Sequence, residues 1–308
     1  MSRPPSRTHH PPSHRPRFEV VFIDKQIPLS DSARADEGTH DGIHEVAADL
    51  GYQRLMLVNV VFCGRPGAGD RGWTLVDAGL PGTAPLIRRA AEDRFGKGAR
   101  PAAIVMTHGH FDHVGALERL SDEWDAPVYA HRLELPYLDG TASYPPPDPT
   151  VGGMMAAMSP LFPRGPVNVK ERLLALPEDG SVPGMPGWRW VATPGHTDGH
   201  VSFFRDSDRS LISGDAVITT RQESAYAVAM QSAEMHGPPA YFTPDWHAAH
   251  KSAQRLAALE PQLIVPGHGR AFEGTPMRMA LHQLADRFQE VAVPKHGRYV
   301  NEEPDARA

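Results

Sequence analysis

A single cysteine, Cys63, stands in 308 residues, so no internal disulfide can form and the fold does not depend on an oxidising compartment. No apolar run approaches the roughly 20 residues that a membrane-spanning helix needs; the longest candidates are strand-sized pieces such as residues 55–63. A soluble, cytoplasmic protein with no membrane partner is the expectation. An excess of cations is also missing. The formal net charge is −6, which argues against a surface built to hold nucleic acid. Residues 1–17 carry prolines, arginines and His9, His10 and His14 but no apolar h-region, so they do not fit a secretory signal and are expected as a disordered tail. What is present is ordinary for a folded protein: 40% hydrophobic residues and enough length for one large domain.

From residue 18 strand-like and helix-like stretches alternate. Strands are expected at 18–23, 55–62 and 73–76, then a helix with Pro85 near its start and Leu86, Ile87, Ala90 and Ala91 on one face. A strand at 102–106 runs into a His-rich turn and a helix over 113–121 that buries Val114, Leu117 and Leu120; 127–130 resumes as strand. The second half repeats the style, with strands at 188–193, 201–205, 210–213 and 263–265, and helices at 245–259 and 277–291. This alternation implies an α/β protein with helices outside its sheets. Its polar clusters fall at strand ends, where active sites concentrate. The interval 137–174 breaks the rhythm with prolines, glycines, Met154, Met155 and Met158, and is too long for an ordinary connection. It is read as a cap over the site, with a short helix whose methionines fill core as the alternative. One domain over 18–308 with a cap-like insertion is preferred to two.

Thr107-His108-Gly109-His110-Phe111-Asp112-His113 lies between a buried strand and a helix. In an extended turn alternate side chains point the same way, so His108, His110 and Asp112 converge while His113 swings in from the first helical turn. One tetrahedral zinc, which takes imidazole nitrogen and carboxylate oxygen and leaves a position for water in a catalytic site, does not easily use all of these. Two ions are indicated. Further donors follow later strands: His196 after 190–193 and Pro194-Gly195, Asp215 after 211–213 and Gly214, His268 after 263–265 and Pro266-Gly267. A lone His or Asp at a strand end is more often a turn residue; this series, in this order, is not well explained by chance.

The pattern His-x-His-x-Asp-His followed by His, Asp and His resembles the metallo-β-lactamase superfamily, and Val76-Asp77-Ala78-Gly79 resembles its preceding acidic motif. The resemblance implies a four-layer αβ/βα sandwich with metals at one edge between two sheets. It further implies one ion on His108, His110 and His196, another on Asp112, His113 and His268, with Asp215 bridging and Asp77 orienting a ligand. A structural zinc site or a metal-free remnant is disfavoured, because structural sites are usually closed and cysteine-rich.

Two zinc ions per chain, with iron or manganese as alternatives, would turn a shared water into a bridging hydroxide near neutral pH. That hydroxide would attack the carbonyl of a small-molecule ester, thioester or lactone, with Asp112 orienting it and passing its proton on. An aspartate at the bridging position looks like glyoxalase II and lactonases, whereas β-lactamases of the superfamily typically place cysteine or serine there or nearby. Glyoxalase II fits imperfectly, since only about forty residues follow His268 and no basic cluster matches its glutathione site. A mononuclear iron persulfide dioxygenase and a nucleic-acid processing nuclease of the same fold are the rival readings, the latter opposed by the acidic balance. Cys63 reads as core rather than nucleophile. The run Gly64-Arg65-Pro66-Gly67-Ala68-Gly69 is a hairpin loop, since it lacks the Gly-Lys-Ser/Thr ending of a phosphate loop. Arg221, Glu223, Tyr226 and His236 are candidates to line the substrate pocket, with peripheral structural roles as the plainer reading.

Overall fold

The computed structural model describes residues 26–35 and 42–300. The expected tail at 1–17 and strand at 18–23 lie outside the described residues. The first half runs β1 (His44–Ala47), β2 (Leu50–Leu55), β3 (Val58–Cys63), β4 (Thr74–Val76), α1 (Ala84–Phe95), β5 (Ala103–Val105), α2 (Phe111–Val114), α3 (Leu117–Trp124), β6 (Val128–Ala130), α4 (Leu135–Leu138), α5 (Met154–Met158) and β7 (Leu173–Ala175). The second half runs β8 (Trp188–Ala192), β9 (Val201–Arg205), β10 (Ser210–Gly214), α6 (Ala225–Met230), α7 (Trp246–Ala258), β11 (Leu263–Pro266), β12 (Phe272–Glu273), α8 (Gly274–Asp286) and α9 (Phe288–Val291). Among the described residues no helix is long and apolar enough to cross a membrane.

β1 to β7 form one sheet in chain order, antiparallel as far as β4 and parallel from β4 to β7. The second sheet has the order β12-β11-β10-β9-β8, with β10 and β11 parallel. Strand residues alternate between two apolar layers, as a period of two requires. Val61, Cys63, Val76 and Val105 face Phe203, Ile212 and Val265 between the sheets. Val60, Phe62, Leu75 and Ile104 face Ile87, Ala91, Leu117 and Leu120 of α1 and α3. Phe204, Leu211 and Ile264 face Ala249, Ala253, Leu256 and Leu281 of α7 and α8. Both sheets are thus covered twice, which is the four-layer αβ/βα sandwich. Each large side chain so buried contributes about 1.5–3 kcal/mol. Cys63 lies in the inter-sheet layer, and burial pushes its thiol well above the ordinary range, as expected of a core residue.

Several elements differ from the sequence expectation. The run 55–62 is not one strand: Met56 takes φ 61° and the chain turns there between β2 and β3. Met56 is apolar but 80% exposed, so hydrophobicity reads straight through the turn. Leu86 is exposed on α1, whose buried stripe is Ala84, Ile87, Ala90 and Ala91. The helix expected over 113–121 is two helices: Ala116 takes φ −109°, ψ 4°, and the N–H groups of Gly115 and Ala116 donate to the Gly79 (2.7 Å) and Ala78 (3.1 Å) carbonyls instead of continuing the helix. The final helix breaks at Arg287 into α8 and α9. In the interval 137–174, Met154 and Met158 are exposed and do not fill core, while Met155 packs against Tyr241 and Phe242.

Candidate metal centre

The donor residues, and Asp77 beside them, sit where strands end at one edge of the sandwich: Asp77 after β4, His108 to His113 after β5, His196 after β8, Asp215 after β10 and His268 after β11. His110 keeps an extended backbone (φ −66°, ψ 154°) and α2 begins at Phe111. That start modifies the extended-turn expectation. His108 and His110 group with His196, whereas Asp112, on the first helical turn, groups with His113 and His268. A further group, His108, His113 and Asp215, takes members from both sides. Within each trio the donor atoms lie within 4.8 Å of one another, and every one of these residues is buried. Asp215 sits between the groups: Oδ2 is 3.4 Å from His196 Nε2 and 3.1 Å from His268 Nε2, and Oδ1 is 3.3 Å from His113 Nε2. It comes this close because residue 267 is glycine; a Cβ there would lie 2.1 Å from Asp215 Oδ1.

Four of the five imidazoles are held by the outward nitrogen. His108 Nδ1 pairs with Thr107 Oγ1 (3.0 Å), His196 Nδ1 with Thr243 Oγ1 (3.2 Å), His113 Nδ1 with Asp77 Oδ2 (2.8 Å) and His268 Nδ1 with the Leu57 carbonyl (2.6 Å). These contacts aim every Nε2 inward, the orientation that ligating histidines take from such partners. His110 is the exception and turns Nδ1 inward, 2.9 Å from His196 Nε2. Asp77 also accepts from the Thr107 N–H and hydroxyl, both at 2.8 Å. It therefore fixes the loop carrying His108 as well as the His113 ring.

His108 Nε2, His113 Nε2 and Asp215 Oδ1 are buried without a hydrogen-bond partner. Such orphaned atoms cost about 1–3 kcal/mol each unless a ligand satisfies them. Burial holds the imidazolium forms of His108 and His196 well below the ordinary range and brings His110 down to about 3, leaving neutral donor rings. Burial also disfavours charge on His113 and His268, but Asp215 overcomes it, aided by Asp77 at His113 and by Asp112 at His268, and both pKa values rise. Asp215 is held well below the carboxylate range against its own burial by the His268 and His113 rings. This half of the centre calls for positive charge, which a metal ion supplies when it displaces those protons. Neutral imidazole and carboxylate are the donor types of zinc and similar divalent ions, so the residues fit the group.

Sequence reasoning missed two residues that build the site. His200 Nε2 accepts the Asp215 N–H (3.0 Å) and its Nδ1 pairs with Thr193 Oγ1 (2.8 Å), so it positions the Asp215 loop with both nitrogens engaged. Burial brings its pKa down to about 3. Its signal was a histidine four residues after His196. Glu134 is fully buried and accepts from the Gly109 N–H (2.9 Å), the Thr197 hydroxyl (2.7 Å), the Gly199 N–H (3.1 Å) and the Tyr144 hydroxyl. It ties the His108–His110 loop, the loop after His196 and the 137–174 interval together. Glu134→Ala is expected to cost about 3 kcal/mol, since several buried donors lose their acceptor at once. Glu134→Gln should recover part of that loss. Urea unfolding of the metal-free proteins measures it, and an unchanged midpoint for Glu134→Ala would refute the clamp.

Arg221, Glu223, Tyr226 and His236 do come together, along one cavity of about 520 Å³. None of the seven donor residues lines that cavity.

A family model described as the metallo-beta-lactamase superfamily matches residues 56–268. A Bacillus subtilis (strain 168) protein described as probable metallo-hydrolase YflN is 45% identical over 269 residues, covering 87% of this chain and 99% of that one. Probable metallo-hydrolase YybB of the same organism is 30% identical over 196 residues, covering 63% of this chain and 74% of that one. Among solved structures, a beta-lactamase domain protein from Burkholderia ambifaria superposes with a TM-score of 0.57 at 22% identity, covering 83% of this chain and 80% of that one. MEM-A1, a subclass B3 metallo-beta-lactamase from a soil metagenome library, gives 0.55 at 19% identity, covering 81% and 94%. At these identities the two structures speak for the fold. With motif, layers, donor groups and family match in agreement, the chain belongs to the metallo-beta-lactamase superfamily.

Proposed function

We propose that the chain is a metallo-hydrolase whose centre holds two zinc ions and which cleaves a small-molecule ester, thioester or lactone. The observation that carries this reading is the set of buried inward atoms that form no hydrogen bond, His108 Nε2 together with His113 Nε2 and Asp215 Oδ1, the last two facing each other at 3.3 Å, surrounded by the remaining donors. His108, His110 and His196 would hold one ion, Asp112, His113 and His268 the other, and Asp215, within 3.4 Å of donors in both groups, would bridge. When bound, the pair supplies Lewis acidity, lowering the pKa of water towards neutrality and polarising a carbonyl. The chain supplies the rest. Asp77, Thr107, Thr243 and the Leu57 carbonyl fix the rings, and Asp112, with its carboxylate 3.5 Å from His268 Nε2, takes up and hands on the proton. Metal-hydrolase names on relatives at 45% and 30% identity support the same class.

A panel of esters, thioesters, lactones and β-lactams, run on zinc-loaded and iron-loaded protein, tests the reading. Turnover of at least one of the first three classes is expected, above that of any β-lactam. Oxygen uptake with a persulfide on iron-loaded protein, with no hydrolysis by either form, would overturn it in favour of the dioxygenase.

A further inference from the structure

Two spaces flank the short 3-10 turn Ala240–Phe242. On one side Phe242 closes a space of about 30 Å³ against His110, His196 and Tyr144, room for little more than a water molecule. On the other side Ala240 lines the cavity of about 520 Å³, a size within the roughly 300–1,000 Å³ of small-molecule sites. Ala240 and Phe242, two residues apart in the turn, thus face different spaces. Tyr241, its middle residue, is buried and packs with Phe242 and Ala156. The cavity wall also rides on the donor strands' extensions. Ile218 and His236 exchange backbone hydrogen bonds at 3.0 and 2.9 Å, and the Thr219 N–H donates to the His268 carbonyl at 3.1 Å.

The lining is amphipathic. Val151, Met154, Ala225, Val291, Ala292 and Pro294 give apolar surface, and Met154 and Tyr226 carry it out to the mouth, 60% and 73% exposed. Its charges do not favour an anion. Arg221, its cation, is taken by Glu234 at 3.1 Å, while the Glu223 carboxylate accepts the Ala240 N–H at 2.7 Å and keeps its second oxygen. The smaller space is lined by the carboxylate of Asp198 and by no lysine or arginine. His236 donates through Nδ1 to the Gly237 carbonyl (3.1 Å) and in that tautomer leaves Nε2 as an acceptor for an amide N–H or hydroxyl group.

We infer that this cavity binds the apolar chain of an uncharged ester, thioester or lactone, whose reacting end reaches past the Ala240–Phe242 turn to the metal donors. The inference rests on the hydrolase reading above for the reacting end alone. The cavity's preference for an uncharged chain follows from its own lining.

Ala225→Trp and Met154→Trp narrow the cavity from two walls without touching a metal donor. In the zinc-loaded wild type, kcat/KM for p-nitrophenyl decanoate should exceed that for the acetate by at least about tenfold, since each buried methylene is worth about fourfold in affinity. Each tryptophan should remove that advantage, chiefly through KM, while acetate turnover stays within about twofold. Calorimetry on the metal-free protein, where no zinc can hold a carboxylate head group, provides the arm that needs no turnover. Decanamide should bind the wild type at least about tenfold more tightly than decanoate, and both variants should lose that binding. If decanamide behaves so and no ester is cleaved, the hydrolase reading fails while the cavity assignment stands. If esters are cleaved with no chain-length preference, or decanoate binds as well as decanamide, the cavity assignment is overturned; the wild-type measurements decide this even if both variants misfold.

Discussion

Asp112→Asn is expected to lower kcat on any ester, thioester or lactone the chain cleaves by about 10²- to 10⁴-fold, the range for loss of a positioned acid or base. Among the donors Asp112 has the side chain with most access, 11% exposed, against 2% for Asp215 and 1% for His268 and His196. It is thus the carboxylate best placed to exchange a proton with a substrate. In the metal-free chain burial raises its pKa, against the lowering influence of the His113 and His268 rings. Asparagine keeps the volume and one ligating oxygen but carries neither the charge nor the proton. The loss should fall on kcat and on kcat/KM together, as for an interaction made only in the transition state. Kinetics with metal content measured on the same sample separate this from simple loss of metal. Near-normal kcat at full metal occupancy would remove Asp112 from proton transfer.

The donor set was legible because its residues are local. His108, His110, Asp112 and His113 fall within six consecutive positions, and His196, Asp215 and His268 each follow an apolar strand and a small residue. A strand buried on both faces reads as a continuous apolar run, so the ends of β5, β10 and β11 were visible. What joins distant parts was not. Glu134 meets its partners across 25, 63 and 65 residues, and no local pattern marks it as a clamp. Met56 hid a turn because an exposed apolar residue looks like strand, yet the next residue, Leu57, gives the carbonyl that orients His268. The break at Ala116 goes with the N–H groups of Gly115 and Ala116 donating to the Gly79 and Ala78 carbonyls, tertiary contacts that helix propensity does not register. Arg221, Glu223, Tyr226 and His236 were recognisable as pocket candidates from their nearness to Asp215. The opposite wall, residues 291–294, was not, since it arrives from the end of α9.

The other large effect concerns the ions themselves. Asp215 stands within reach of both donor groups, so Asp215→Ala removes a ligand from each and leaves His113 and His268 without the carboxylate that pairs them. His268→Ala takes one donor from the Asp112, His113 and His268 group and leaves His108, His110 and His196 complete. Only Asp215 reaches both groups, and without its shared carboxylate nothing screens one ion from the other, so the first change should empty both positions on dialysis and the second chiefly the one that His268 serves. Metal per chain, by plasma mass spectrometry on zinc-loaded, dialysed wild type, Asp215→Ala and His268→Ala, tests the two-ion centre most directly. The bridged arrangement predicts about two, near zero and about one; a wild-type ratio near one that added zinc does not raise, or equal loss in the two variants, would contradict it.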